Sequence, residues 1–232
     1  MAVGTIITMN NMNATFRLWQ LISPALPIGA YAYSQGFEYA IEAGWVKDEA
    51  EVYDWIKGQL QHNLAYLDVP VLKRLYSAWQ ADDQQAITYW TQYILASREA
   101  AELKTEDQHL GRALATLLSQ LGVNQSEPYI QQQSAAFVTT LSLAAVHWHI
   151  SIDDLAHAYL WMWCENQIAV AIKLVPLGQT SGQRLLLNVS DAIPSAVQLG
   201  LALADEKIGM AAPGLGIAST LHETQYSRLF RS

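Results

Sequence analysis

The run VYDWIKGQLQHNLAYL, residues 52–67, decides how the rest of the sequence is read. Val52, Trp55, Ile56, Leu60, Leu64 and Leu67 recur at spacings of three and four, which lays them along one stripe of a helix. The same period continues outward. Pro70 marks a new helix start running towards Trp79, and another helix is expected from about Asp83 to Ala96. A further one runs from about Ser97 to Leu121 and ends at Gly122. SEPYIQQQ reads as the next N-terminus: Ser126 can cap, Glu127 suits the positive end and Pro128 fits the first turn. That helix carries Ile130, Phe137, Val138, Leu141, Ala145 and Trp148. Ser151 caps its successor, which extends to about Val175 and stops at Pro176-Leu177-Gly178. Two more follow, split near Asp191 and Pro194. No alternating stretch bounded by turn signals is present. The expectation is an all-α, single-domain bundle of about nine or ten helices over 1–232. Residues 1–14 and 213–232 are expected as flexible or partner-ordered tails, the second because Pro213, Gly214 and Gly216 interrupt the helical pattern.

Composition narrows the function. Charged residues make up 15% of the 232, against about 25% in an average domain, and hydrophobic residues reach 51%. No Lys or Arg occurs between Arg112 and Lys173. A chain so poor in charge is expected to bury surface against other chains. A net charge of −8 argues against nucleic acid, which needs clustered cations. Residues 129–151, the least charged run, contain QQQS, TT and HWH and are too polar for a membrane span. Cys164 is the single cysteine, so no internal disulfide forms and a cytoplasmic location is expected.

Catalytic patterns fail one after another. Glu106-Asp107-Gln108-His109 matches E-x-x-H, but a diiron carboxylate bundle needs a second such motif and two further glutamates. Glu99, Glu102 and Glu106, with Arg98 and Lys104 nearby, read instead as a solvated or ion-paired helix face. His147 and His149 point about 200° apart on a helix and do not share an ion. There is no phosphate loop, and Gly214-Leu215-Gly216 lacks both a preceding strand and a third glycine. No Gly-x-Ser-x-Gly occurs. No cofactor site is expected.

Two segments remain odd. SPALPIGAYAYSQGFEYA, residues 23–40, is apolar, aromatic and irregular, and Glu38 is its one charge. HETQYSRLFRS, residues 222–232, sets Arg228 and Arg231 around Leu229-Phe230. With ASREAAELKTEDQHLGRAL and AVAIKLVPLGQTSGQRLL, these stretches resemble the urease accessory protein F family, UreF, in order along most of the chain. Ala30 stands where that family often has glycine, Tyr31-Ala32 where it has Phe-Ser, and Leu221 where a basic residue is common. The resemblance implies an all-α homodimer with no enzymatic activity of its own. Such a protein joins an accessory protein called D or H and the GTPase UreG in supplying nickel to apo-urease. Tyr33, Ser34 and Gln35 are then expected to remain available to the D/H partner. His222, Glu223, Tyr226, Arg228, Leu229, Phe230 and Arg231 form its second contact. Arg98, Glu99 and Glu102 are candidate contacts for the GTPase, and Pro176, Gly178, Gln179 and Gly182 for the GTPase or the dimer. The rival from another class is a diiron-type metalloenzyme using Glu106 and His109; a helical interaction module for unrelated partners is a third reading.

Overall fold

The computed structural model describes residues 2–132, 135–209 and 212–232. Among these residues there are eleven α-helices and no strand: α1 (Ala2–Ile22), α2 (Phe37–Glu42), α3 (Glu49–Gln59), α4 (Asp68–Gln80), α5 (Gln84–Ala96), α6 (Ala101–Gln120), α7 (Phe137–His147), α8 (Ile152–Leu174), α9 (Gln179–Ser190), α10 (Ile193–Ala202) and α11 (Pro213–His222). Met1 of the expected N-terminal tail and Gln133 of the QQQ run lie outside the described residues.

The stripe that opened the reading is the floor of the core. Val52, Ile56 and Leu60 are fully buried, and Leu64 and Leu67 nearly so. A strict i+4 repeat drifts about 40° per step on an α-helix. The chain takes up that drift by widening into a π-helical turn over Leu60–Leu64, which keeps Leu64 facing inward. Trp55 stacks on Phe37 of α2, ring centroids 5.6 Å apart. The charge-free helix α7 lies between α4 and α6 and is buried on nearly every side, so its lack of Lys and Arg reflects core position.

Asp48, Asp83 and Ser151 cap α3, α5 and α8 as their side chains allow, each accepting an amide of the first turn. Two boundaries differ from the sequence reading. Ser97 closes α5, its N–H and hydroxyl both returning to the Tyr93 carbonyl, so α6 begins only at Ala101. Ser126 does not start a long helix. Its hydroxyl turns back to the carbonyls of Ala115 and Val123, a short 3₁₀ turn covers Asn124–Tyr129, and α7 begins at Phe137. The cap of α7 comes from another helix: the Phe137 amide donates to Asp107 of α6 at 2.6 Å. The stretch Gln179–Ala202 is long and apolar enough to cross a membrane by length and composition, but it is broken at Asp191 and Ala192 and packs on α4 and α8.

The C-terminal segment, expected as a tail, carries α11. Pro213 and Gly214 occupy its first turn, where a missing amide donor costs nothing. The ten residues after it pass through a turn at 223–224 and bends at 226–227 and 229–230, and their end lies over α2 and α6.

Candidate functional site

The two odd segments meet each other. The 23–40 stretch leaves α1 through Pro24 and Pro27, makes one 3₁₀ turn at Ala30–Ala32 and enters α2. The left-handed positions are Gly29, Gln35 and Gly36, so Ala30 needs no positive φ and its departure from the family pattern costs nothing. At Gly36 glycine is required twice over. Its φ is +75°, and a Cβ there would stand 2.5 Å from the Ser219 backbone nitrogen of α11. Gln35 holds φ +57° without that freedom; its amide group donates to Glu106 at 2.7 Å and accepts from Trp163 Nε1 at 2.7 Å. Two hydrogen bonds thus fix a strained turn.

Residues 228–232 lie along this turn. Arg231 N donates to the Ala32 carbonyl at 2.8 Å, and Ser34 N donates to the Ser232 carbonyl at 2.7 Å, which also receives the Ser34 hydroxyl. Leu229 N and Phe230 N both donate to the Glu38 carboxylate, at 2.6 and 2.9 Å. The Ser232 hydroxyl donates to Glu106 at 2.7 Å. Phe230 is inserted, 5% exposed, with Lys173 of α8 5.1 Å over its ring. Behind the turn, Asn166 donates to the Tyr33 carbonyl, and the Tyr33 hydroxyl meets His109 Nδ1 at 3.2 Å. Above it, His222 at the end of α11 has no exposed surface. Its Nε2 faces Glu38 at 3.1 Å and its Nδ1 faces Glu102 at 2.8 Å, while Arg228 pairs with the other Glu102 oxygen.

The expected contacts therefore divide into those that hold the tail and those that face out. Tyr33 and Ser34 are buried and Gln35 half-buried, which corrects the expectation that they stay available; their polar atoms are engaged with the tail, with Glu106 or with α8. His222 and Phe230 are buried with them. Glu223, Tyr226, Arg228, Leu229 and Arg231 are on the outside, Leu229 at 63% exposed. Beside them is an open hollow of about 330 Å³ lined by Tyr33, Glu102, Glu106, His109, Glu223 and Arg231.

Arg98 is not a surface contact. Its guanidinium donates to Asp107 and Asp68, each at 2.8 Å, and Tyr159 donates to the same Asp68 oxygen at 2.7 Å. Burial alone would depress the Arg98 guanidinium, but the two carboxylates hold it well above the usual range. Burial, with Asp68 beside it, drives the Tyr159 phenol well up. This network ties α4, α6, α7 and α8 together and is structural. Glu99 remains exposed, and Glu102 is half-buried with His222 and Arg228. Pro176, Gly178 and Gln179 are exposed at the start of α9, whereas Gly182 is buried where α9 crosses Ile172 of α8. The expected solvated face of α6 is likewise corrected at Glu106, which is 4% exposed. Burial lifts its carboxyl to about 7, against the opposing hydrogen bonds from Ser232 and Gln35.

Glu102, Glu106 and His109 each turn to a different partner. Among the described residues no group of three or more His, Cys, Asp or Glu gathers to hold a metal ion. Sequence reasoning missed the anchors Glu38 and Glu106. The available signal was Glu38 itself, one carboxylate in an otherwise uncharged aromatic stretch.

The UreF family model matches residues 46–190. The chain is 55% identical over 216 residues to the urease accessory protein UreF of Alkalilimnicola ehrlichii, covering 93% of this chain and 95% of that protein. It is 46% identical over 230 residues to the UreF of Alcanivorax borkumensis, covering 97% and 100%. With the UreF of Marinobacter nauticus it shares 44% over 232 residues and the full length of both.

Proposed function

The chain belongs to the UreF family of urease accessory proteins, and from that premise we propose that it is an adaptor bridging the D/H accessory protein and the GTPase UreG. In that assembly the nickel destined for apo-urease is cargo, and this chain acts as a homodimer in the cytoplasm, by shape, without making or breaking bonds. The observation that carries the reading is the docked tail. It gathers Tyr226, Leu229, Arg228 and Arg231 on the outside of a segment whose inner side is fixed to α2 and α6. Tyrosine and arginine are among the side chains that dominate binding energy at interfaces, and here they stand on a fixed backbone. Tyr33, Ser34 and Gln35 then serve the D/H contact by holding the tail. A second apolar surface supports the same reading: Met12, Phe16 and Trp19, spaced for one face of α1, are all more than half exposed.

The GTPase brings its own phosphate loop, so this chain contributes by binding one state of its partner better than another. Glu99 and the exposed start of α9 remain contact candidates, and Glu102 takes part through Arg228. The test is co-purification of the full chain with the D/H protein and UreG, compared with Leu229→Ala plus Arg231→Ala and with a chain lacking residues 222–232. Both variants are expected to lose the ternary complex and to fail to restore urease activity in cells lacking their own F protein. Retention of the complex by the folded double variant refutes the assignment.

A further inference from the structure

The tail engages the 23–40 stretch from Ala32 onward. The earlier, more apolar part of that stretch does something else. Pro24, Leu26, Ile28 and Tyr31 line one side of a groove of about 260 Å³. Helix α8 lines it with Glu165, Ala169 and Ile172, spaced for one face of the helix. Gly182 lets α9 come close against Ile172, which brings Gln179, Gln183 and Leu186 to the groove as well. The lining is apolar where it is deepest: Leu26, Ile28, Ile168 and Leu186 are buried. At the edge Tyr31 is 70% exposed, and the Gln179 and Gln183 amides face solvent.

One carboxylate lines this groove, Glu165, and no lysine or arginine does. Glu165 is half-buried and has no hydrogen-bond or ion-pair partner among the described residues. Burial raises its carboxyl, with no cation beside it to oppose the shift. Lys173, the nearest basic residue along α8, lies over Phe230 instead. A carboxylate partly withdrawn from water without a partner costs free energy that an incoming cation offsets. Ala169, one turn further along α8, is exposed and small, so the groove has room there for a large side chain. Glu165 and Ala169 are about 6 Å apart along the helix axis. Side chains two positions apart on an extended chain share a side and stand about 6.6 Å apart, which matches. We propose that this groove receives an extended segment of another protein carrying an apolar anchor two residues from a lysine or arginine, with the anchor over Ala169 and the cation on Glu165. The exposed Gln179 and Gln183 amides are placed to hydrogen-bond the backbone of such a segment. None of these residues belongs to the tail, so the site is tested separately from the ternary complex.

The test is methyl NMR on the full chain, titrated with the blocked peptide acetyl-Lys-Ala-Phe-Ala-Lys-amide, which offers the pattern in either direction. The control peptide has glutamine in place of both lysines. The lysine peptide is expected to shift the methyl signals of Leu26, Ile28, Ile168 and Ile172 and to bind more tightly than the control by up to about fivefold, the most a partly exposed ion pair provides. In E165Q the two peptides should bind alike. A169W should lose both, since it fills the groove from an exposed position where added bulk spares the core. Equal affinity of the two peptides for the wild-type chain overturns the proposal, as does a lysine preference that persists in E165Q. Shifts at the isolated exposed residues Leu187 and Leu199 as large as those in the groove overturn it too, because they mark unspecific association. So does an A169W chain that sediments as a smaller species than wild type, which would make a second copy the occupant. The wild-type contrast between the peptides decides the matter even where a variant does not fold.

Discussion

Replacing Glu38 by alanine isolates the main anchor of the tail. The carboxylate is 5% exposed and accepts the Leu229 amide at 2.6 Å, the Phe230 amide at 2.9 Å and His222 Nε2 at 3.1 Å. Hydrogen bonds to a charged group contribute about 1.5–3 kcal/mol each, and three to one group do not add fully. Deleting the carboxylate also removes the cost of keeping it out of water, which offsets part of the loss, and of the three bonds only those from Leu229 and Phe230 belong to the tail. A net cost of about 3 kcal/mol to the docked state follows, close to the roughly 3–5 for breaking a buried pair. That corresponds to a tail-open population more than 100-fold larger. Hydrogen exchange resolved by residue measures it directly. Leu229 and Phe230 should lose protection by that factor, and α4 and α7 should lose much less, since neither touches Glu38. E38Q, which keeps an acceptor without the charge, should fall between. Unchanged protection at Leu229 and Phe230 in E38A refutes the reasoning, and so does an equal loss throughout α4 and α7, which would make Glu38 a core residue of the whole fold.

Gly36→Ala should lower stability by about 2–4 kcal/mol in urea unfolding, because a positive φ and contact with the Ser219 backbone act together. Arg98→Ala leaves Asp68 and Asp107 buried without their cation and should cost about 3–5 kcal/mol, with Asp68→Asn in the same background restoring part of it. Cys164 is fully buried and burial lifts its thiol to about 12, so a thiol reagent at neutral pH should react only at the rate of unfolding. Leu229→Ala should weaken partner capture while leaving thermal stability near wild type, and Phe230→Ala should lower stability by about 3 kcal/mol or more as well as capture, since one side chain is 63% exposed and the other 5%.

The fold was legible because the apolar spacing that shapes each helix is local. The stripe from Val52 to Leu67, the helix start near Asp83, the cap at Ser151 and the break near Asp191 are written within a turn or two of where they act. What escaped was written across the chain. Ser126 had every local mark of a helix start, but its hydroxyl found the Ala115 and Val123 carbonyls, and Asp107, 30 residues away, capped α7 instead. Arg98 and Glu106 read as surface charges and His222 as a partner contact because their partners Asp68, Ser232 and Glu38 lie 30, 126 and 184 positions away. Spacing rules carry no information about such pairs. The two segments that stood out as unusual did meet, but their composition did not reveal that they would hold each other.

That mutual hold changes how the tail can recognise anything. Residues 229–232 alternate in burial: Leu229 out, Phe230 in, Arg231 out, Ser232 in. The inner pair and the backbone are tied to Glu38, Ala32, Ser34 and Glu106, so the outer pair stands on a backbone that is already fixed. A partner reading Leu229 and Arg231 would not have to order the tail, a cost of about 1–2 kcal/mol per residue for a free chain. The strength of the inner contacts then sets the affinity of the outer ones. Substitutions at Glu38 or His222, buried and out of a partner's reach, would weaken binding by the free energy they take from docking, and charge changes at those two sites would reach a neighbouring subunit through the tail alone.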